Sequence, residues 1–440
     1  MPPADTGASA VTRPGAAVPT PTAVPTPTAA SASSAASLRP GETGYRRAIA
    51  ALFAAGLATF ALLYSTQALL PALSTGLSLS PAQASLTVSA TTGALALALL
   101  PVSALSEKYG RTAVMTASVF GASALALVIP FAPDLTTLVV LRAAQGVALA
   151  GLPATAMAYL GEEIHPRAVA SAIGLYVAGN SIGGMSSRVL TGAVAQAFGW
   201  RAALFAAGAM AVVCAVAFRL LVPAARNFRP GPVSPAALWR TVTGHLATPL
   251  LRRLYMIGLL FMVVFGAVYN VLGYRLAAAP FGLSQTAIGL IFLVYLVGTG
   301  TSAASGILHG RLGRRGALYV AVVLAVGGLL LTLAGSLTLV LTGLVLITAG
   351  FFIGHSIASG AVSRTATTGR AQASALYLTA YYIGNSLGGT LGASAFHSAG
   401  WAGTVALCLA AVLGVAGITL YATRRVVADR RLAAPARRTA

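Results

Sequence analysis

The chain has 440 residues, of which 57% are hydrophobic and only 8% are charged. A soluble globular domain carries about 25% charged residues, so this composition excludes an ordinary soluble enzyme and indicates a protein of the lipid bilayer. The formal net charge is +21, but the basic residues are spread over many short loops, which argues against a nucleic-acid-binding protein. Two cysteines, Cys214 and Cys408, lie in apolar runs and indicate neither a disulfide framework nor a metal site.

Both ends of the chain are predicted to lie outside the membrane. Residues 1–44 are rich in Pro, Ala, Thr and Ser, a composition that cannot bury a core, and predict a disordered cytoplasmic tail. The first apolar run begins near Ile49 and is long enough to span a bilayer, which disfavours a cleaved signal peptide. Residues 423–440 predict a second, basic cytoplasmic tail that lies against anionic lipid.

Between the tails, apolar runs of about 20 residues recur, each long enough to cross the hydrocarbon core as a helix. The twelve predicted spans are 48–70, 84–105, 113–132, 136–160, 168–191, 201–222, 253–276, 286–308, 316–334, 337–361, 371–394 and 401–422. Residues 223–252 contain several prolines and arginines and predict a cytoplasmic linker. The chain therefore divides into an N-terminal six-helix bundle, residues 45–222, and a C-terminal six-helix bundle, residues 253–422.

The positions of the positive charges predict the orientation of these spans. If both termini are cytoplasmic, most Lys and Arg residues fall in cytoplasmic loops and tails. Short loops that carry Lys and Arg stay on the cytoplasmic side of a membrane. We therefore expect a multi-pass membrane protein with both termini in the cytoplasm.

Two different motifs each occur twice, at nearly the same separation along the chain. Residues 103–112 (SALSEKYGRT), between spans two and three, correspond to residues 306–315 (GILHGRLGRR), between spans eight and nine. Residues 179–184 (GNSIGG) in span five correspond to residues 384–389 (GNSLGG) in span eleven. The shared offset indicates two homologous halves, an organisation typical of secondary transporters.

The repeated loop motif resembles the signature of the major facilitator superfamily, and the resemblance covers nearly all of the chain except the N-terminal tail. It implies an all-α membrane protein with twelve helices in two pseudo-symmetric six-helix bundles, which give alternating access to a central cavity. In the family this motif stabilises one conformation. The positions that match it are Glu107, Lys108, Gly110, Arg111, Gly306, Arg311, Gly313 and Arg314. Ser103 and Thr112 depart from the signature, and because Gly310 replaces the acid, only the first copy can place an acid at a helix end.

Span four contains residues 141–151 (LRAAQGVALAG), which resemble a family pattern of an arginine followed by a Gln-Gly pair. An arginine inside a bilayer is unfavourable by about 2.5–3.5 kcal/mol on insertion scales, so it is rare unless it lines the interior or has a partner. In proton-coupled relatives this arginine lies in the proton-transfer path, and the resemblance implies the same for Arg142. The alternative is that Arg142, about 9 Å from the end of its span, extends to the interface.

The glycine motifs of spans five and eleven resemble the signature of proton-coupled drug antiporters. Small residues spaced four apart let helices approach closely, so the motif fits either rocking between the halves or helix packing alone. The residues concerned are Gly179, Asn180, Gly183, Gly184, Gly384, Asn385, Gly388 and Gly389. Asparagine stands where the signature has proline, and the loss of a proline kink weakens the drug-antiporter assignment.

Acidic residues are absent from the middle of every predicted span, although many cation exporters place a carboxylate there. His355 in span ten can titrate near physiological pH, and we predict either a part in proton coupling beside Arg142 or a neutral, hydrogen-bonded histidine. In the family, spans one, four, seven and ten line the central cavity. The candidate cavity residues on these spans are Tyr64, Gln67, Gln145, Tyr269, Asn270 and Tyr274.

Residues 64–73 (YSTQALLPAL) and 350–360 (GFFIGHSIASG) resemble a bacterial branch of the superfamily described as inner-membrane transport proteins or sugar-efflux-like permeases. We therefore expect a monomer of the bacterial inner membrane that exports a small organic solute or drug in exchange for protons. The alternative is exchange or uniport of a neutral or anionic solute, such as a sugar or an organic acid. The loops show no paired nucleophile and base and no phosphate loop. We expect no enzyme activity, no cofactor, and no partner beyond substrate, protons and the lipid bilayer.

Overall fold

The computed structural model describes residues 37–230 and 234–433. Its α-helices are α1 Thr43–Leu63, α2 Leu70–Leu77, α3 Pro81–Tyr109, α4 Arg111–Val128, α5 Leu135–Leu149, α6 Pro153–Glu163, α7 Val169–Leu221, α8 Pro235–Ala247, α9 Pro249–Ala277, α10 Gln285–Ile291, α11 Tyr295–Leu331, α12 Leu337–Thr365 and α13 Arg370–Ala433. Short 3-10 helices at Gln67–Leu69, Ile129–Phe131 and Phe292–Val294 join or extend them. Such tight turns are common at helix ends.

Nine helices in the described ranges are long and apolar enough to cross a membrane. Three of these nine contain residues with non-helical backbone angles, at Gly199 in α7, Gly313 in α11 and Ala399–Gly400 in α13. A straight helix of the 53 residues in α7 would be about 80 Å long, far more than a hydrocarbon core of about 30 Å. Each of the three therefore makes two passes, and the twelve predicted crossings are confirmed.

Contacts with α1 show how the chain reverses inside α7. Gly179 packs against the backbone of Phe53 in α1. Arg47, near the start of α1, donates a hydrogen bond to the carbonyl oxygen of Leu220 at 2.9 Å. Residues 179 and 220 of α7 thus lie beside the same half of α1, so the chain has turned back at Gly199.

The two halves of the chain pack alike. In the first half, α1 packs along the first pass of α7, and in the second half α9 packs along the first pass of α13. The second half buries one large apolar cluster, while the first half buries two, the smaller of which lies around Leu73, Leu138 and Trp200. Each half therefore has a core of its own, and the clusters also meet across the boundary, because Ala68 belongs to the second-half cluster and Ala375 and Tyr382 belong to the larger first-half cluster.

Three segments outside the predicted spans contain structure that the sequence analysis did not anticipate. The predicted linker 223–252 contains α8 and the first turn of α9, and α13 extends into the predicted C-terminal tail. At the end of the predicted N-terminal tail, Leu38 donates its backbone N–H to the carbonyl oxygen of Glu163 at 2.8 Å, and its side chain packs on the first-half core. Residues 1–36 of the predicted tail 1–44 and residues 434–440 of the predicted tail 423–440 fall outside the described residues. The contact of residues 423–440 with anionic lipid stays a prediction.

Candidate functional site

The ends of the helices define two membrane faces of the protein. We call the face with the 103–112 and 306–315 loops the basic face, and the other the opposite face. Helices α2 and α9 end at the opposite face, and α3 and α10 begin there. The position of a residue along its helix therefore gives its depth between the two faces.

Arg142 in α5 is buried inside the first half, with no exposed surface. Its guanidinium donates hydrogen bonds to five oxygens. The acceptors are the carbonyls of Leu62, Leu63 and Thr87, each at 2.9 Å, Ser65 Oγ at 3.3 Å and Gln145 Oε1 at 2.5 Å. A guanidinium has five N–H groups, and these bonds engage Nε–H, both groups on Nη1 and one on Nη2, so Arg142 is almost fully hydrogen-bonded as a cation. It ties α1, α3 and α5 together instead of extending to the interface.

Gln145, a predicted cavity residue, lies beside Arg142 within the first half. It is buried, and while its Oε1 accepts from Arg142, its Nε2 donates to the carbonyl oxygen of Ala122 in α4 at 3.0 Å. Both ends of the amide are therefore used in holding helices together. The structure places Gln145 as the partner of Arg142, and as the link from that arginine to α4.

A chain of buried polar side chains crosses from the first half to the second near the opposite face. Arg188 in α7 donates through Nε and Nη2 to Gln67 Oε1, at 2.8 and 2.5 Å, and through Nη1 to the carbonyl oxygen of Gly184 at 2.5 Å. Gln67 Nε2 donates to Asn270 Oδ1 in α9 at 2.7 Å. Asn270 Nδ2 then donates to Ser85 Oγ in α3 at 3.0 Å. Gln67 and Asn270, predicted from separate spans, are thus brought together, and Arg188 joins them.

Three aromatic rings surround the Arg188 guanidinium. Its Cζ lies 4.4 Å from the ring centre of Tyr64, 4.8 Å from that of Phe292 and 4.9 Å from that of Tyr295. Such distances give favourable cation–π contacts. Tyr64 belongs to the first half and the other two rings to the second, so Arg188 is enclosed by both halves. Phe292 and Tyr295 were missed because an aromatic residue in an apolar span is indistinguishable from core in sequence.

The other predicted tyrosines of α9 have different surroundings. Tyr269 is buried, and its hydroxyl lies 2.6 Å from Thr348 Oγ1 in α12 of the same half. The Tyr274 hydroxyl donates to the carbonyl oxygen of Leu70 at 2.9 Å and lies 2.6 Å from Ser74 Oγ in α2. Tyr274 therefore joins the two halves, whereas Tyr269 stabilises the second half.

Hydrogen bonds between the halves are concentrated near the opposite face. Among the described residues, the pairs near this face, which we call the seam, are Gln67–Asn270, Ser74–Tyr274, Leu70–Tyr274, Ser85–Asn270, Ser85–Gly389, Ser89–Ser386, Ala68–Gln285 and Gln196–Thr286. A further pair between the halves, Ala96–Thr379, lies farther from this face. Backbones also meet near the opposite face, because a Cβ built on Gly192 would lie 3.1 Å from the Cα atom of Gly289. The opposite-face end is therefore closed in this state.

His355 lies in α12, half-buried, against aromatic residues. The Tyr377 hydroxyl in α13 lies 3.0 Å from His355 Nδ1. The imidazole stacks on Phe351 at 5.9 Å and lies 5.0 Å from the Tyr381 ring. Every described contact of His355 is thus within the second half, away from Arg142 in the first.

The first basic-face loop is held by an ion pair. Arg111 Nη2 lies 2.8 Å from Glu162 Oε1 at the end of α6, and Arg111 Nη1 donates to Ser106 Oγ at 2.7 Å. Gly110 precedes Arg111 with φ 96° and ψ 146°, a conformation essentially restricted to glycine. The acid that pairs with the arginine is Glu162, which the sequence motif did not include, whereas Glu107 is half-buried and Lys108 lies over the Tyr109 ring.

The second basic-face loop repeats the turn. Gly313 has φ 68° and ψ 174°, which again suits glycine. Gly306 faces open space, Arg311 is exposed and Arg314 is half-buried. The two copies share the positive-φ glycine, while among the described side chains the Arg111–Glu162 ion pair belongs to the first copy.

The glycine motifs are sites of close helix contact. A Cβ on Gly179 or Gly183 would overlap backbone atoms of α1, and one on Gly384 or Gly388 would overlap backbone atoms of α9. Gly184 lies beside the Arg188 guanidinium and Gly389 beside the Asn270 amide. The asparagines also correspond, since Asn180 packs on Gly56 of α1 and Asn385 on Gly266 of α9. The motif therefore packs α1 on α7 and α9 on α13, and its last glycine in each half borders the polar crossing.

No group of three or more His, Cys, Asp or Glu residues that could hold a metal ion occurs within residues 37–230 and 234–433. Cys214 and Cys408 are both free. The polar groups described above are arginine, amide, hydroxyl and imidazole groups.

Comparisons with known proteins agree with this architecture. The sequence profile of the Major Facilitator Superfamily matches residues 51–389. The uncharacterized MFS-type transporter YybF of Bacillus subtilis (strain 168) is 38% identical over 398 residues, covering 90% of this chain and 98% of YybF. The inner membrane transport protein YnfM of Escherichia coli (strain K12) is 40% identical over 366 residues, covering 83% of this chain and 88% of YnfM.

A solved structure shows the same fold at low sequence identity. A bacterial homolog of the human lysosomal transporter Spinster, in an inward-facing and unoccupied conformation, superposes with a TM-score of 0.71 at 17% identity. The match covers 88% of this chain and 99% of that one. Because the family profile matches most of the chain and two transporters are 38% and 40% identical to it, the chain belongs to the major facilitator superfamily and is a multi-pass secondary transporter, not an enzyme.

Proposed function

We propose that the protein exports a small organic solute across the inner membrane by alternating access, in exchange for protons. The seam is the observation that carries this proposal, because it joins the halves through side-chain hydrogen bonds near the opposite face. Polar contacts of this kind can separate and re-form, and two rigid bundles that meet at such a contact can rock about it. With both termini in the cytoplasm, the closed end faces outward.

His355 is the proton-carrying group in this proposal. Imidazole is the side chain that titrates nearest to neutral pH, and His355 is half-buried next to the hydroxyl of Tyr377. Arg142 supports the coupling differently. Its five hydrogen bonds are made by the charged form, so it holds α1, α3 and α5 in place for the transport cycle.

Proton exchange is tested in everted membrane vesicles that contain the protein. A pH gradient is established, and its dissipation is followed on addition of lipophilic cations, sugars and organic acids. The test variant is His355→Gln, and the matched control is His397→Gln, because His397 is an exposed histidine in the second half. We expect one solute class to dissipate the gradient in the original protein and in the control, and the signal to disappear in His355→Gln.

Two outcomes contradict parts of the proposal. Undiminished coupled flux in His355→Gln removes His355 from the proton path. No gradient dissipation by any solute, with the protein shown to be folded by size-exclusion chromatography, removes proton coupling.

A second candidate function is exchange or uniport of a neutral or anionic solute. It is supported by the charge of the buried groups. Arg142 and Arg188 are almost completely buried, and neither forms an ion pair with a carboxylate among the described side chains. Buried positive charge without a carboxylate partner disfavours cations. Counterflow of a labelled organic acid or sugar in proteoliposomes without a pH gradient supports this candidate, and counterflow that requires the gradient contradicts it.

A further inference from the structure

Arg188 has more unused hydrogen-bonding capacity than Arg142. Both guanidiniums are buried, but Arg142 donates to five oxygens, whereas Arg188 donates to two, Gln67 Oε1 and the Gly184 carbonyl. A guanidinium has five N–H groups, and the Arg188 bonds engage three of them. A buried cation with spare donors and no carboxylate partner among the described residues is well suited to bind an anion.

A second donor lies beside Arg188. The hydroxyl of Tyr295 is buried and makes no hydrogen bond within the described structure, although the ring of Tyr295 lies 4.9 Å from the Arg188 guanidinium. A buried hydroxyl is normally hydrogen-bonded, and an exception calls for an explanation. The missing acceptor is explained if a ligand oxygen binds next to Arg188 during the transport cycle.

Aromatic rings adjoin these two donors. Phe265 lies 5.2 Å from Tyr295 and 4.0 Å from Phe351 between ring centres, and Tyr269 lies 4.9 Å from Tyr295. Flat apolar surfaces of this kind favour the hydrocarbon or aromatic part of a ligand. The arginine and the hydroxyl therefore suit an anionic head, and the rings suit an apolar body.

We propose that Arg188 and Tyr295 bind the carboxylate of a small organic acid with an apolar body, and that such acids are the substrates. This inference rests on the alternating-access transport proposed above, and is independent of whether protons drive it. Two of the three rings that cover Arg188, and the Asn270 partner of Gln67, belong to the second half. When the halves separate at the opposite face, the guanidinium loses this cover and a carboxylate can reach it.

The bound carboxylate also acts on the seam. Gln67 Oε1 accepts both bonds from the outer edge of Arg188, while Gln67 Nε2 holds Asn270. A carboxylate binds a guanidinium through two parallel hydrogen bonds, and Arg188 has two N–H groups that neither Gln67 nor Gly184 engages. The loaded site is then neutral, so the guanidinium attracts the oxygen of the Gln67 amide, which links the halves, less strongly.

The test measures equilibrium binding to the purified full-length protein in lipid nanodiscs. The ligands are two matched pairs, benzoate with benzamide and hexanoate with hexanamide, in which only the charge of the head changes. The test variants are Arg188→Gln, Arg188→Lys and Tyr295→Phe. The control is Arg201→Gln, because Arg201 is an exposed arginine near the opposite face that lies over the Trp200 ring.

We expect the original protein and Arg201→Gln to bind the acid of at least one pair about tenfold or more tightly than its amide. Arg188→Gln should bind acid and amide alike, and Arg188→Lys should lose most of the preference because an ammonium cannot bind a carboxylate bidentately. Tyr295→Phe should weaken acid binding several-fold without lowering the melting temperature, because the hydroxyl it removes has no partner. If Arg188→Gln fails to fold, Tyr295→Phe and Arg188→Lys decide the question.

Equal affinity for acid and amide in the original protein, a preference that survives in Arg188→Gln and Arg188→Lys, or unchanged acid binding in Tyr295→Phe overturns the inference. Absence of binding by both acids also overturns it. Parallel flux measurements in proteoliposomes separate this result from the proposed function. Transport of sugars or lipophilic cations that is indifferent to Arg188 leaves alternating access standing and removes the carboxylate site. Acid binding that depends on Arg188, without any flux of the acid, supports the carboxylate site and contradicts the proposal that such acids are transported.

Discussion

Arg111 and Glu162 form an ion pair between the start of α4 and the end of α6, with Arg111 Nη2 2.8 Å from Glu162 Oε1. The pair fixes the basic-face ends of two helices that α5 separates along the chain. The two side chains are 12% and 30% exposed, so solvent screens the pair only in part.

Replacing Glu162 with glutamine should weaken this link without changing the shape of the side chain. We expect the free energy of unfolding to fall by about 0.2–1 kcal/mol, the range typical of ion pairs at the surface. The difference should shrink in about 1 M salt, where the Debye length is about 3 Å. Thermal melting in detergent at low and high salt measures both effects. Glu107→Gln is the control in the same loop, and an equal loss in that variant would show that net charge, not the ion pair, matters.

Arg142→Lys should destabilise the first half. An ammonium has three donors, so at least two of the five oxygens that Arg142 now satisfies would lose their partner. Each buried polar group left without a hydrogen bond costs about 1–3 kcal/mol. We expect a clear fall in melting temperature, while Arg201→Lys at an exposed position should melt close to the original protein. A melting temperature unchanged by Arg142→Lys would mean that water replaces the lost donors.

Gly183→Ala and Gly174→Ala should have opposite effects, although both lie in α7. A Cβ on Gly183 would overlap the carbonyl oxygen of Leu57, whereas one on Gly174 would meet no atom within 4 Å. Overpacking lowers stability by about 1–3 kcal/mol, and alanine in an open helical position stabilises by up to about 1 kcal/mol. Melting temperatures of the two variants test the contact directly. Equal shifts would indicate that α1 can move away from α7 freely.

Gly289→Val should open the seam. A Cβ on Gly289 would lie 2.8 Å from the carbonyl oxygen of Arg188, on the other half, so valine forces α10 away from α7. A cysteine at Ser85, which is fully buried in the closed seam, reports the opening through its rate of reaction with a polar maleimide. A shift of about 1.4 kcal/mol toward the open state corresponds to a tenfold faster reaction.

Cys214 and Cys408 must both be replaced for this experiment, because they are free and could react with the maleimide in addition to the cysteine at position 85. Gly300→Val is the matched control, because a Cβ on Gly300 would meet no atom within 4 Å. A reaction rate unaffected by Gly289→Val, or raised equally by Gly300→Val, would contradict the placement of the seam between α7 and α10.

The sequence predicted the membrane crossings well because a helix that spans lipid must be apolar over a fixed length. Internal duplication also identified correct structural partners: the glycines at 179 and 183 contact α1 as those at 384 and 388 contact α9. Helix ends were less accurate. α9 begins at Pro249 inside the predicted linker, because the ends of membrane helices extend into water, where hydropathy gives no signal.

The candidate site was only partly predictable. Gln67 and Asn270 stood out because a polar side chain within an apolar span is conspicuous, and the structure joins them at 2.7 Å. The spacing of three residues already places Gln145 on the same helix face as Arg142, but hydropathy could not show which helices this face packs against, since that depends on helix rotation. In the sequence, Tyr295 stands among apolar neighbours and gives no signal. That its hydroxyl lacks a hydrogen-bond partner can be seen only in the three-dimensional structure.

The glycine contacts determine which parts of the protein can move independently. α1 carries Gln67 just beyond its end and is pressed, backbone against backbone, to the first pass of α7, which carries Arg188. α9 and the first pass of α13 are joined in the same way. A helix in such close contact cannot slide or rotate alone without carbonyl oxygens colliding. Each pair of helices therefore moves as one rigid unit, so a displacement at Gln67 or Asn270 also moves the far end of that pair.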